Sequence, residues 1–178
     1  MATSPNIVNY TVGKGIPSFK KIGDSVFRDM GNVTTFEFTP SVTTLDHFST
    51  RSGVKKKDKS ITTQVEGALK IVMEEWTAEN MALALLADVG NNSSGQEVLD
   101  ILQNASVNGE IKFTMTNEVG PRGEWHFLNV SFVPGSAISP LSDEWGNFEA
   151  DGQVLAYEDG KFGTVTRLGG EADDPSSS

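Results

Sequence analysis

Apolar and polar positions alternate along residues 59–75 of the chain. The odd positions carry apolar or small side chains and the even positions mostly polar ones: Ile61, Thr63, Val65, Gly67, Leu69, Ile71 and Met73 against Thr62, Gln64, Glu66, Lys70 and Glu74. A period of two predicts a β-strand. At roughly 3.3 Å per residue this strand would span about 56 Å, whereas a compact globule of 178 residues is about 40 Å across. We therefore expect part of the strand to project from its domain and to pair with other copies of the chain.

A second long strand is predicted over 32–48, with several apolar residues on one side. Pro40 interrupts this pattern and implies a bulge or an edge position. A loop over 49–58 would join the two strands into an extended hairpin, 32–76. An alternative is that Gly67 marks a bulge or bend that folds the excess length back.

The remaining pattern predicts a mainly β protein with one α-helix. The helix is expected over 77–88, with Thr77 as its N-cap and Gly90 as its terminator. Shorter strands are expected near 111–115 and over 124–133, 146–157, 162–168 and part of 97–107. The predicted fold is an antiparallel two-sheet sandwich or partial barrel formed by a single domain, 10–168. Residues 1–9 are expected to form a loose arm and 169–178 a flexible tail.

Charge is distributed unevenly along a chain whose net charge is −10. Residues 1–70 hold ten Lys and Arg against six Asp and Glu, whereas 71–178 hold four against eighteen. This asymmetry favours a polar partner or a second copy of the chain, and the acidic total argues against free nucleic acid as a ligand. The alternative is that the charges solvate two faces of a monomer. Because no apolar run approaches the roughly 20 residues that span a bilayer, membrane insertion is not expected.

Five basic residues fall within nine positions at the start of the long strand: Arg51, Lys55, Lys56, Lys57 and Lys59, opposed only by Asp58. Three interpretations compete for this cluster. It could contact nucleic acid, although it has no interleaved aromatic residues. It could be solvated, or it could dock on the acidic part of a second copy in a head-to-tail contact of the kind that builds rings or filaments.

The sequence offers little support for catalysis or cofactor binding. Asp46 and His47 are adjacent, but neighbours on a strand point to opposite faces. No Gly-x-Ser-x-Gly elbow is present, and residues 13–15 resemble a phosphate loop only in composition. Asp143-Glu144 and Glu149/Asp151 have oxygen ligands suited to calcium, but solvated turns explain them as well. We predict no catalytic residue, no metal site, no cofactor and no enzyme; cysteine is absent, which excludes disulfides and thiol chemistry.

Several segments, in order and spacing, resemble the tail tube (major tail) proteins of long-tailed, non-contractile bacteriophages. They read GKGIPSF at 13–19, GNVTTFEFTP at 31–40, DHFSTRSGVKKKD at 46–58, WTAENMALALL at 76–86, NEVGPR at 117–122, SDEWG at 142–146 and KFGTVT at 161–166. The resemblance covers most of 10–168. The same tube fold occurs in contractile tails and bacterial secretion tubes, and the sequence is closer to the non-contractile type.

This resemblance implies a structural protein of the virion tail that is synthesised in the bacterial cytoplasm. Copies would form hexameric rings whose hairpins, 32–76, build a shared inner β-barrel. Stacked rings would conduct double-stranded DNA without sequence-specific binding, and the loop 49–58 would reach the next ring. Tape measure, tail tip and terminator proteins are the other expected partners.

The even face of the long strand is the candidate lining of such a channel. A lumen that conducts DNA should not bind its phosphates, and we expect Gln64, Glu66 and Glu74 to face it, with Lys70 as an exception. The alternative function is a monomeric β-sandwich binding or adhesion module, for example for carbohydrate. Exposed aromatics clustered on one sheet face would favour that alternative, whereas Trp76, Trp125 and Trp145 are dispersed along the sequence.

Overall fold

The alternating segments form antiparallel strands in the computed structural model, which describes residues 7–51, 53–141 and 143–168. The described residues include ten strands and one α-helix, which confirms the mainly β, antiparallel class. The strands are β1 Gly15–Lys21, β2 Arg28–Asp29, β3 Val33–Ser49, β4 Lys56–Met73, β5 Asp88–Asn91, β6 Glu97–Asp100, β7 Val107–Met115, β8 Arg122–Pro134, β9 Phe148–Val154 and β10 Gly163–Leu168. The helix α1 is Ala78–Leu85, and Ile7–Asn9 form a short 3-10 turn. The rest of the predicted arm and the predicted tail lie outside the described residues.

Eight strands form one sheet in the order β2-β1-β7-β8-β9-β4-β3, with β10 paired beside β8. Strand β8 joins the two parts of this sheet, because its first half pairs with β10 and its second half with β9. Over the described residues this sheet does not close into a barrel. Strands β5 and β6 form a separate two-stranded sheet.

The hydrophobic core lies on one face of the large sheet, where α1 contacts β8 and β9. Strand β4 contributes Leu69, Ile71 and Met73, all of which are buried. Other core residues come from the neighbouring strands and the helix: Phe19, Ile111, Phe127, Val130, Phe132, Phe148, Ala150, Val154 and Leu83. From the edge strand β3, Phe36 stacks on Phe113 with ring centroids 4.7 Å apart.

The helix begins as predicted and ends earlier than predicted. The Thr77 side chain accepts a hydrogen bond from the Asn80 backbone N–H at 3.2 Å, which confirms the N-cap. The predicted end at 88 and the terminator Gly90 are wrong. Leu86 ends the helix in the left-handed conformation with φ of 49°, and Gly90 lies within β5. Burial of the Leu86 side chain in the core compensates for the strain of that backbone conformation.

The long hairpin is present, with a shorter connection than predicted. Strands β3 and β4 extend to Ser49 and from Lys56, so the loop covers 50–55 rather than 49–58. Pro40 lies in the edge strand β3, as predicted, and pairs in register with Gly67. The alternative that Gly67 bends the strand is wrong, because the register is continuous there. A Cβ at position 67 would lie 2.6 Å from Phe38 Cε2, so glycine makes room for that ring.

Candidate functional site

Half of the hairpin projects beyond the sheet. Strand β4 pairs with β9 only from Gly67 to Met73, whereas residues 56–66 pair with β3 alone. Every residue of 56–66 is exposed. At about 3.3 Å per residue the projecting part is ~36 Å long. This confirms the expectation that the strand is too long for its own domain.

Apolar side chains are exposed on both faces of the projecting half. They are Val42, Leu45, Phe48, Ile61 and Val65. Val42 pairs with Val65 and Leu45 pairs with Ile61, but a register shift after Thr43 leaves Thr63 without a partner residue on β3. Positions 42 and 45 are three residues apart on β3, so the two apolar pairs lie on opposite faces. Ile61 and Val65 therefore do not pack on the core, although they occupy odd positions like the buried Leu69 and Ile71.

Both edges of the projecting half are open in the described structure. Strand β3 is the last strand of the sheet along its whole length, and β4 has no second neighbour over 56–66. Open edges present unpaired backbone N–H and C=O groups that can pair with another strand. The projecting half therefore offers backbone donors and acceptors together with apolar side chains.

The predicted basic residues gather at the end of the projection, which we call the basic tip (Arg51, Lys55, Lys56, Lys57 and Lys59). The last three lie in β4 rather than in the loop. Lys57 Nζ lies 2.8 Å from Asp46 Oδ2, and the Ser60 hydroxyl donates to Asp46 Oδ1 at 2.5 Å. These hydrogen bonds, that of Lys57 above all, lower the pKa of Asp46. The other four members make no ion pair with any described residue, so four cations of the basic tip are available to a partner.

The two histidines each bind a carboxylate on a neighbouring strand. His47 Nδ1 lies 2.6 Å from Asp58 Oδ1, so His47 does not pair with the adjacent Asp46. His126 Nε2 lies 3.0 Å from Glu110 Oε2. Within 7–51, 53–141 and 143–168 no group of three or more His, Asp or Glu side chains could hold a metal ion.

An acidic face forms where the even positions of β4 meet β3 and β9. We use this name for Glu37, Glu66, Glu149 and Asp151 together with Lys70. Glu37 and Asp151 both pair with Lys70, on either side of it, and directly paired residues share a face. Lys70 Nζ lies 2.8 Å from Glu149 Oε2, and this hydrogen bond raises the pKa of Lys70. The one cation among these five residues is therefore bound within the face.

Asp151 is a member of the acidic face whose charged form is disfavoured by its surroundings. Partial burial raises its pKa, the charge of Glu149 raises it further, and Lys70 acts in the opposite direction. A raised pKa means that the charged form of this carboxylate is less favourable in the folded protein than in water. The acidic face thus concentrates negative charge beyond what its single lysine neutralises.

The three predicted lumen-facing residues do not lie together. Gln64 Nε2 donates to Glu66 Oε1, and both side chains are exposed on the projecting half. Glu74 follows the end of β4, where its Oε2 accepts a hydrogen bond from Asn32 Nδ2 at 2.5 Å. Eight residues of strand, about 26 Å, separate Glu66 from Glu74.

Sequence reasoning missed the neighbours that complete the acidic face. Glu149 and Asp151 stood out only as possible calcium ligands, and Glu37 did not stand out at all. The alternation around 148–154 was the available signal, but strand order and register place those carboxylates beside Lys70.

Among the residues that the structure describes, no helix combines the length and the apolar character needed to cross a membrane. No curated protein is significantly similar to the chain. A family model described as protein of unknown function UCP028589 matches residues 10–120. That match covers β1 to β7 and includes the whole hairpin and α1. The chain therefore belongs to this family of proteins of unknown function.

Proposed function

We propose that this protein is a structural subunit that self-assembles into stacked hexameric rings and forms the tail tube of a long-tailed, non-contractile bacteriophage. The tube would be a conduit for double-stranded DNA on its way into the host. One observation carries the proposal: half of the hairpin projects with both edges open and apolar side chains exposed on both faces.

A projecting hairpin of this kind gains stability from neighbours. A two-stranded hairpin is only marginally stable in water by itself, and open edges invite further pairing. If each copy pairs its projecting strands with those of the next, a closed ring of strands removes every open edge. The same arrangement would bury Val42 and Val65 against a neighbouring copy, which supports a ring of strands as the function of the hairpin.

The acidic face supports a channel that conducts DNA. Each lysine facing a phosphate would add a salt-dependent contact and slow passage. Glu66 and Gln64 lie on the projecting half, and Lys70 is bound by Glu149. In the proposed tube these side chains face the lumen, and DNA passes without sequence-specific binding.

The remaining parts of the proposal concern location and partners. The tube would belong to the virion tail after synthesis in the host cytoplasm. Other copies of the chain are its main partners, and tape measure, tail tip and terminator proteins complete the set. Enzymatic activity, cofactors and membrane insertion are not part of the proposed function.

Electron microscopy of the concentrated full-length protein tests the proposal through two matched variants. Val65→Asp places a charge on the projecting half, whereas Val165→Asp places one on β10; the two valines are 51% and 60% exposed. Because both sites are exposed, both variants should fold with stabilities within about 0.5 kcal/mol of the parent. We expect regular hollow tubes from the parent and from Val165→Asp, and none from Val65→Asp.

Two results would contradict the proposal. One is a parent protein that stays monomeric at every concentration, even with a tail initiation complex added. The other is a Val65→Asp protein that forms tubes as readily as the parent. Circular dichroism of each variant separates loss of assembly from loss of folding.

A second candidate function is a monomeric binding module. The observation that favours it is that Trp145 and Trp76 are both exposed, and that the Trp76 ring donates a hydrogen bond to the backbone of Gly146, the residue after Trp145. Exposed aromatic rings suit a carbohydrate ligand. A protein that binds a glycan and never associates with itself would favour this candidate over the tube.

A further inference from the structure

The described residues of the connection between β8 and β9, 135–141 and 143–147, include two almost fully exposed apolar side chains. Leu141 is 94% exposed and Trp145 is 91% exposed. We call this connection the tryptophan loop. Indole rings bury 150–250 Å² in a typical contact, so a tryptophan held in water leaves a large apolar surface uncovered.

The backbone beside Trp145 is held in place. Trp76 Nε1 donates a hydrogen bond to the Gly146 carbonyl at 3.1 Å, and the Trp76 ring meets Phe148 edge to face at 5.5 Å. Phe148 is buried in the core. Trp145 therefore extends from an anchored backbone, which lowers the entropic cost of binding a partner.

The tryptophan loop and the basic tip lie at opposite ends of one strand. Met73, the last residue of β4, pairs with Phe148, so the loop that precedes Phe148 lies beyond that end. The basic tip lies at the other end, where β4 begins with Lys56. The 18 residues of β4 span about 59 Å. The two features cannot meet within one molecule.

The two ends are chemically complementary. The basic tip offers unpaired cations and the exposed side chain of Val54, whereas the tryptophan loop offers an indole face, Leu141 and the carboxylate of Asp143. The face of an indole ring attracts a Lys or Arg cation placed over it. Each copy carries both surfaces, so a contact between them repeats head to tail without limit.

We propose that the basic tip of one copy docks on the tryptophan loop of the next copy along the tube axis. The proposal rests on the proposed function, because this contact is the one that would stack successive rings. It commits to a second copy of this chain as the occupant of the tryptophan loop. A glycan or an unrelated protein would be a different occupant.

Disulfide cross-linking of the full-length protein tests the contact, because the chain has no native cysteine. One preparation carries Val54→Cys and a second carries Leu141→Cys. A third, the matched control, carries Val165→Cys on β10, which is also exposed. The Val54→Cys preparation is mixed under mild oxidation either with the Leu141→Cys preparation or with the Val165→Cys control. Because docking raises the effective thiol concentration toward the mM range, we expect the 54–141 dimer to form about tenfold or more faster than the 54–165 dimer.

Substitution of Trp145 in the Leu141→Cys preparation sharpens the test. Trp145→Ala should reduce the cross-linking rate to that of the control, whereas Trp145→Phe should retain most of it because a phenyl ring still offers a face to a cation. A charge reversal tests the basic tip in the same way. Lys55→Glu combined with Lys56→Glu in the Val54→Cys preparation should abolish the difference between the 54–141 and 54–165 cross-linking rates. Asp143→Lys in the Leu141→Cys preparation should then partly restore that difference.

The outcomes separate this contact from the proposed function. Equal 54–141 and 54–165 rates in a sample that forms tubes would overturn the contact and leave the tube. Equal rates in a sample that remains monomeric under all conditions would overturn both. A Trp145→Ala variant that cross-links and stacks like the parent, or that loses only glycan binding, would also overturn the contact.

Discussion

The two halves of β4 share one pattern and differ in their surroundings. Over 67–73 the strand lies between β3 and β9, and its odd positions are buried. Over 56–66 it has only β3 beside it, and every position is exposed. Ile71 is 0% exposed and Ile61 is 47% exposed, although both fulfil the same alternation.

The difference shows that alternation predicts a strand but not the burial of its apolar side. A period of two predicts a strand with one apolar side, but a second neighbouring strand and a covering layer decide whether that side is buried. In the proximal half, 67–73, β9 is the second neighbour, and core residues of β8 and α1 belong to the same buried cluster as Leu69, Ile71 and Met73. In the distal half, which is the projecting half that contains 56–66, the apolar residues remain free to contact another molecule. The proposed assembly depends on them for this reason.

The largest expected effect comes from deleting the same side chain in each half. Ile71→Ala should lower the free energy of unfolding by about 2–5 kcal/mol, because it leaves a cavity in a packed core. Ile61→Ala, its match in the distal half, should change the stability of the monomer by about 0.5 kcal/mol or less. Urea unfolding followed by tryptophan fluorescence measures both values.

The control for this comparison is the slope of the unfolding transition. Equal slopes for the parent and both variants show that the change lies in stability rather than in the unfolded state. If Ile61→Ala costs as much as Ile71→Ala in monomeric protein, the distal half is packed in solution and the division of β4 is wrong.

A smaller effect is expected at Gly67, where the two halves meet. A methyl group there would lie 2.6 Å from Phe38 Cε2 and 3.4 Å from Val154 Cβ. Gly67→Ala should therefore cost about 1–3 kcal/mol through overpacking. Gly53→Ala is the matched control in the same hairpin, because no atom lies within 4 Å of its Cβ position. A neutral Gly67→Ala would show that Phe38 moves freely and that the proximal half is loosely packed.

Much of the fold could be predicted because its signals are local. Alternation identified both hairpin strands and the later strands, and the Thr77 cap marked the start of α1. The length of β4 was enough to predict that part of it leaves the domain. Strand β1, Gly15–Lys21, was not among the predicted strands, and a proline such as Pro17 inside a segment argues against a strand when only local signals are available.

Other features depended on contacts that are distant in sequence. Gly90 was a reasonable terminator for α1, but the burial of Leu86 ended the helix earlier. The register shift at Thr63 moves Ile61 to the other face and has no local signature. The acidic face needs β9 beside β4, a pairing between residues about eighty positions apart. Alternation alone could place Glu66 on a face, but it could not supply Glu149 or Asp151.

The smallest expected effect is the pH dependence of stability, to which Asp46 in the distal half and Asp151 in the proximal half contribute with opposite signs. In the distal half, hydrogen bonds from Lys57 and Ser60 lower the pKa of Asp46 from its ordinary value of 3.8. The charged form is then favoured in the folded state, so its stabilisation is present above pH 3.8 and is lost as pH falls through the lowered pKa. In the proximal half, burial and Glu149 raise the pKa of Asp151. Its charged form is disfavoured on folding, so a penalty exists at neutral pH and disappears as pH falls below 3.8.

Two isosteric variants measure these opposite contributions. Asp46→Asn should make the protein slightly less stable at pH 7, whereas Asp151→Asn should make it more stable by a few tenths of a kcal/mol, the range of partly exposed charges. Both differences from the parent should vanish in strong acid. Urea midpoints from pH 7 down to pH 2 follow the two curves, with Val165→Ala as a variant that changes no charge. If the two curves deviate from the parent in the same direction at pH 7, the acidic face is not under electrostatic strain, and the contrast between the two halves is one of packing alone.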